Sequence, residues 1–420
     1  MGNSEWGIRS PRPSLADAHC SFAIPNSPFA ISMSRRKAIG FLLAGLNTLA
    51  CSYFGNYVFF LLQQQHGFGN RENLLTCALH GLLYVPAAWL GGRFAERRGL
   101  TTSLKIGFAG MAVAMLVGGL LHSLAGVFLT LLGWTIAMCF TWPALEAFAT
   151  HGESEAGTKR MVGIYNLTWS SCAGLMYFAG GSLYEWLGAR SLFWIPASIL
   201  TVQFALTLWL EGLPHSPAPP PPMAEPHHPE AAAFHQPVSP PTFLKMAWLA
   251  NPFSYIAIHS FLAVVPGRSA ELGLSIAQSG WFWAVWFLAR LCTFVLLWQW
   301  SGWHYRFRWM LAAFLALIAS YTVLLLGQSF AALLAAQVVF GLATGLLYYS
   351  SLFYSMDVGE TKSEHGGIHE AAIGLGICLG PAVGAAALFL APAQPHAGVF
   401  SVTALLLVGL AGLVGLRLKR

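Results

Sequence analysis

The chain has 420 residues, of which 56% are hydrophobic and only 9% charged, against about 25% charged in a soluble globular protein. Too little charge remains to coat a water-facing surface, so a soluble enzyme or binding domain is excluded and lipid is the solvent that shapes the fold. The formal net charge of +6 comes from Lys and Arg scattered in short clusters without a basic domain, which argues against nucleic acid and for a membrane-topology signal.

Residues 1–33 hold no long apolar block and are expected to form a disordered tail. Arg35, Arg36 and Lys37 then precede an apolar run that looks at first like a secretory signal. That run continues through Tyr57, Phe59 and Leu62, beyond the roughly 7–15 residues of a signal core, so it reads as a first membrane helix that is not cleaved.

Apolar stretches cover about 38–62, 73–91, 103–121, 124–148, 161–183 and 191–210, and then about 245–265, 277–300, 309–327, 330–355, 367–390 and 397–416. Each is near the ~20 residues that cross a bilayer. Backbone groups in hydrocarbon must be bonded within their own segment, and these runs lack the alternation of barrel strands, so all twelve are expected to be helices. The fold class is an all-α membrane protein with six helices in 34–210 and six in 245–420.

Residues 211–244 separate the two sets with Pro217, Pro219, Pro220, Pro221 and Pro222, followed by a His-, Ala- and Pro-containing stretch up to Pro241. This composition gives a flexible or semi-extended linker. His215, His227, His228 and His235 within it are irregularly spaced and have no Cys or acidic partners, so a solvated linker is preferred to a metal site. Six of the seven cysteines lie inside apolar blocks without paired spacing, and neither disulfides nor metal are expected.

After the second helix stands Gly92-Arg93-Phe94-Ala95-Glu96-Arg97-Arg98-Gly99, which resembles the G-x-x-x-[DE]-R-x-G loop of the major facilitator superfamily. The resemblance implies that Glu96 and Arg97 tie neighbouring helix ends together in one conformation, while Gly92 and Gly99 permit a tight turn. Leu100 and Thr101 replace the basic residues usual after the last Gly, and Gly302 to Arg306, the counterpart in the second half, lacks the acid. An internal repeat points the same way: Leu145 through Gly152-Glu153 leads to Gly174, Gly180 and Gly181, as Leu352 through Gly359-Glu360 leads to Gly374, Gly376, Gly380, Pro381 and Gly384. The family consists of two pseudo-symmetric six-helix bundles, so the resemblance, over residues 34–420, implies a secondary transporter working by alternating access.

An ionisable group in hydrocarbon is costly unless paired or wetted, which makes each one a functional candidate. Arg290 lies about 20 Å into the eighth helix, near the midplane. Its permanent charge needs an anion, either from the protein or from a substrate carboxylate or phosphate. His259 is equally deep in the seventh helix and is a candidate for substrate or proton contact; a simple hydrogen-bonded core role competes with it. On the first helix Asn47 and Asn56 point to opposite sides, whereas Ser52 and Asn56 share a face. Arg290, His259, Asn56 and Ser52 are therefore the expected substrate contacts.

A second group, Glu146, Tyr165, Asn166, Asp357, His369 and Glu370, lies towards the basic-loop ends of the helices, and repeat alignment sets Asn166 opposite Glu370. Carboxylates that move between water and protein as a cavity opens can load and release a proton, and gate or helix-cap contacts are the competing role. Trp142, Trp169, Trp281, Trp283, Trp286, Tyr348 and Tyr349 offer rings for stacking on a solute or for interface belts.

No phosphate-binding G-x-x-x-x-G-K-[ST] occurs, so no nucleotide or other cofactor is called for, and any driving energy would come from a proton or other ion gradient. The expected partners are lipid and a small solute, an anion being the kind that suits Arg290, with the protein acting as a monomer. A non-transporting receptor or scaffold on the same fold is the alternative; no convergence of nucleophile, base or metal ligands suggests an enzyme.

With the N-terminus inside, eighteen of the 22 Lys and Arg fall on the cytoplasmic side, Arg71, Arg190 and Arg268 on the other, and Arg290 within a helix. The positive-inside rule then places both termini and the linker in the cytoplasm of a bacterial-type inner membrane. Reporter fusions within 211–244 are expected to be active only as cytoplasmic reporters, and activity on the external side alone would overturn this orientation.

Overall fold

A backbone in hydrocarbon closes its hydrogen bonds within each segment, and the computed structural model shows this over the residues it describes, 20–22, 31–153, 155–213, 238–358 and 362–418. The first half holds α1 (Arg35–His66), α2 (Asn70–Arg98), α3 (Leu100–Leu120), α4 (Leu124–Met138), α5 (Trp142–Thr150), α6 (Glu155–Leu187) and α7 (Ser191–Glu211). The second holds α8 (Pro240–Glu271), α9 (Ile276–Trp283), α10 (Val285–Gln299), α11 (Phe307–Leu326), α12 (Phe330–Val358), α13 (Lys362–Leu390) and α14 (Ala397–Leu418). Ahead of α1, two three-residue strands, β1 (Cys20–Phe22) and β2 (Ile31–Met33), pair antiparallel.

Two pairs of short helices make single spans, 124–150 and 276–299. In the first the break at Cys139–Thr141 comes just before Trp142-Pro143, because a proline has no N–H and disfavours helical geometry in the residue before it. In the second only Ala284 interrupts, and its φ of −70° and ψ of −18° remain helical, so the span continues. Eleven spans among the described residues are long and apolar enough to cross a membrane. α6 is the twelfth expected helix; at 33 residues it is long enough, but Asn166, Thr168, Ser170 and Ser171 lower its hydropathy.

The linker is narrower than expected. α7 runs to Glu211 and α8 starts at Pro240, since proline is tolerated in a first helical turn where no N–H partner is required. Residues 214–237, with all four linker histidines, lie outside the described residues, as do Gly359 and Glu360 of the internal repeat. The G-x-x-x-[DE]-R-x-G segment also differs from a loop: α2 extends to Arg98, so Gly92, Glu96 and Arg97 lie in its last two turns. Only Gly99 makes the turn, at φ +90°.

The halves meet along two seams. α2 packs along α13, and α6 packs on α9 and α10. Both seams use small residues so that backbones approach closely. A Cβ on Gly81 of α2 would lie 2.3 Å from the Cys378 backbone nitrogen of α13, and one on Gly181 of α6 would lie 2.3 Å from the Ile276 carbonyl oxygen of α9. At the same end of the molecule Glu185 accepts the Ala277 N–H at 3.0 Å, so a carboxylate of one half caps the first turn of α9 in the other. Trp281 Nε1 donates to Ser182 Oγ at 3.1 Å beside it.

Polar side chains turn inward, among them Asn47, Thr130, Asn166, Gln203 and Gln337, all fully buried. Leu82, Val113, Leu129, Leu175, Leu296 and Val408 point outward and are exposed, the arrangement expected where lipid is the solvent. At the basic end, Arg36 Nη1 donates to the carbonyls of Leu210 (2.9 Å) and Leu213 (2.7 Å), capping the end of α7. Lys37 pairs with Glu153, and Lys105 pairs with Glu211 at 2.8 Å.

Gly81→Ala is expected to lower the melting temperature, with a loss of about 1–3 kcal/mol, because the obstructing atoms are backbone and cannot rotate away. Gly415→Ala, where no atom lies within 4 Å, is the matched control and should be neutral or slightly stabilising. Equal melting temperatures for the two would show that the α2–α13 seam is not tightly packed.

Candidate solute-binding site

Between the halves lies a cavity of about 230 Å³. It is lined by α1, α2, α4, α5 and α6 from the first half and α8, α10, α12 and α13 from the second. α3, α7, α11 and α14 contribute nothing to it and form the outer layer.

Arg290 stands in this cavity at 2% exposure. Its guanidinium carbon lies 5.0 Å from the ring centre of Tyr348, 5.2 Å from Trp169, 5.5 Å from Phe294 and 5.9 Å from Tyr255. Ring faces carry negative partial charge, so this enclosure offsets part of the cost of a buried cation. Among the described residues no carboxylate is within ion-pair distance of it. Among the described residues Nε and Nη2 are buried without a partner in hydrogen-bond geometry, with the Tyr255 side chain near the guanidinium. Their N–H bonds leave the same edge of the guanidinium, the edge that grips a carboxylate bidentately. A buried donor pair left unbonded is expensive, and here both donors stand in a cavity wall.

The other expected contacts gather around the same space. Ser52 and Asn56 line it from α1. Asn47, one face away, instead donates to Thr141 Oγ1 at 3.3 Å. His259 lines it from α8 with its ring stacked on Tyr255, centroids 5.9 Å apart, and Nδ1 is 3.8 Å from Cys77 Sγ. Glu146 of α5 and Glu370 of α13 both line the cavity. Tyr84 of α2 donates to Glu370 Oε2 across the seam between the halves, whereas the Glu146 carboxylate has no hydrogen bond or ion pair among the described residues.

Three residues of the second group stand elsewhere. Asn166 is fully buried and accepts from Trp169 Nε1 at 2.9 Å, which steadies the ring beside Arg290, and it does not line the cavity. His369 is buried next to Ser351 Oγ (3.4 Å) and edge-on to Tyr348. The side chain of Asp357 lies outside the described residues.

His80 and Tyr84 are functional candidates that sequence reasoning passed over. His80 Nδ1 is 2.7 Å from Thr135 Oγ1, and its ring stacks on Trp134 with centroids 5.5 Å apart. Thr76, His80 and Tyr84 recur every four residues along α2 and all line the cavity, so a polar stripe at helical spacing was the available signal.

Residues 40–381 match the family profile of the Major Facilitator Superfamily. No curated protein is similar enough in sequence to match the chain. Among solved structures, the human organic anion transporter MFSD10 (TETRAN) superposes with a TM-score of 0.66 at 16% identity, over 90% of this chain and 99% of that one. The nucleoside transporter NupG superposes with a TM-score of 0.66 at 13% identity, over 92% of this chain and 100% of that one. A point mutant of NupG superposes with a TM-score of 0.64 at 14% identity, over 91% and 98%. With the profile spanning most of its length and the twelve-span, two-half architecture in place, this integral membrane chain belongs to the Major Facilitator Superfamily.

Proposed function

We propose that the protein is a secondary active transporter that moves a small solute by alternating access, with the central cavity as the solute site and Arg290 as its anion contact. The observation that carries this reading is the unbonded edge of Arg290, Nε and Nη2, buried in a wall shared by both halves. Ser52, Asn56 and His259 supply further polar contacts from α1 and α8. Two solved structures with this fold are named as transporters, one of organic anions and one of nucleosides, and the former agrees with an anion contact.

Glu146 and Glu370 are the proposed proton carriers. Glu370 is tied to Tyr84 of the opposite half, so separation of α2 from α13 changes its surroundings, and a group whose solvation changes with conformation couples proton binding to that conformation. Asn166 and His369 act behind this layer, holding Trp169 and Tyr348, with Asp357 farther along α12. Gly92, Glu96, Arg97 and Gly99 favour one of the two alternating states from the end of α2. The protein works as a monomer in an inner (plasma) membrane with both termini in the cytoplasm.

Arg290→Lys keeps the charge and loses the planar fork, while Arg290→Gln loses the charge. Both are expected to weaken binding of an organic anion, Gln by about ten- to a hundredfold, as for a lost charged hydrogen bond, in protein that still inserts and folds. A purely structural arginine would instead lower the melting temperature of both variants and leave affinity unchanged. Normal affinity in Arg290→Gln would sink the solute-site reading.

Alternating access also requires the α6–α9 end to separate. Glu185→Ala removes the carboxylate that caps α9 from the other half, a loss of about 1 kcal/mol, and should raise the population open at that end about fivefold. Distances between labels on α6 and α9 measure this, and an unchanged distribution would remove Glu185 from the gate.

A further inference from the structure

The cavity is small, aromatic and nearly balanced in charge, and these three properties narrow what it holds. We infer that its solute is a small aromatic or heteroaromatic monocarboxylate, seated with its carboxylate on the Nε and Nη2 edge of Arg290 and its ring among the aromatic walls; this rests on the transporter reading above.

Size comes first. A dry protein cavity of about 150 Å³ admits benzene, so about 230 Å³ fits one ring with a carboxylate, up to about two fused rings. Charge comes second. Arg290 is the sole Lys or Arg among the lining residues, and Glu146 and Glu370 face the same space. A dianion such as a phosphate monoester would set two charges against one guanidinium with two carboxyl groups nearby. A monoanion is matched by Arg290 alone, and the planar pair of carboxylate oxygens fits its open edge.

The walls supply the third argument. Ten of the thirty lining residues are Trp, Tyr or Phe, a third of the wall against 14% of the chain. Two imidazoles lie on opposite halves, each already stacked on one neighbour: His80 on Trp134 at an interplanar angle of 23°, and His259 on Tyr255 at 19°. What remains to a solute is ring face and ring edge, and planar π-systems use both through offset and edge-to-face contacts that a saturated ring of equal size does not make.

The test measures thermal stabilisation of the purified full chain by benzoate, cyclohexanecarboxylate, benzamide and phenyl phosphate at equal concentrations, since a ligand of the native state raises its melting temperature with the logarithm of its affinity. Benzoate is expected to bind about three- to tenfold more tightly than cyclohexanecarboxylate, with benzamide and phenyl phosphate weaker than both. Arg290→Gln should abolish the benzoate shift. Trp142→Leu, at a half-buried wall position, should narrow the preference for benzoate over cyclohexanecarboxylate. Equal affinity for the two carboxylates, with both lost in Arg290→Gln, overturns the aromatic solute and leaves the anion-transport reading standing. Stabilisation by benzamide but by neither carboxylate overturns both.

Discussion

A bilayer offers a polar group no hydrogen bond, and most of this structure follows from that constraint. The backbone answers it by closing its bonds within helices, so the chain has little freedom except in how the helices pack. Packing cannot draw on the hydrophobic effect between surfaces that lipid solvates equally well. It relies on close approach, which is why glycines stand where α2 crosses α13 and where α6 crosses α9. The side chains that cannot face lipid collect at the centre, and the space they fail to fill is the cavity.

Within that space the arrangement of charge matters more than its amount. Among the described residues Arg290 is held by ring faces and not by a carboxylate, although Glu146 and Glu370 line the same cavity. Had either acid paired with the guanidinium, the site would be neutralised from within and an arriving anion would have to displace a buried ion pair, whose disruption is costly. Kept apart, the guanidinium offers an open edge and the acids remain available for other partners, Tyr84 in the case of Glu370. The aromatic enclosure therefore stabilises the cation without occupying its hydrogen-bonding edge.

How much of this was readable in the sequence depended on contrast. Twelve spans stood out because apolar runs contrast with basic loops. Arg290, Glu146 and Glu370 stood out because a charge contrasts with an apolar helix, and all three line the cavity. His80 and Tyr84 did not, since their signal is a stripe every fourth residue in a helix that also carries polar groups on other faces. Asn166 and His369 were legible as buried polar residues, but depth along a helix does not say which way a side chain points, and both face neighbours behind the wall. The helix ends were misjudged where local chemistry overrode hydropathy: α2 continues through Glu96 and Arg97, and Pro240 opens a helix before the apolar run is fully under way.

Among the described residues the two halves show different contacts at their basic ends, although the repeat makes them look alike. In the first half, charge joins the ends: Lys37 to Glu153, Lys105 to Glu211, and Arg36 to the last carbonyls of α7. In the second, the turn after α10 lacks the acid, and among the described residues rings pack across it. Trp303 Nε1 donates to the Leu297 carbonyl at 3.3 Å, the Tyr305 N–H donates to Tyr354 Oη at 2.9 Å, and His304 stacks on Phe353 with centroids 4.0 Å apart. Tyr305 sits at φ +50°, a conformation that a non-glycine residue keeps only when its surroundings hold it there. Such a packed turn is insensitive to salt, whereas partly exposed ion pairs weaken as ionic strength rises.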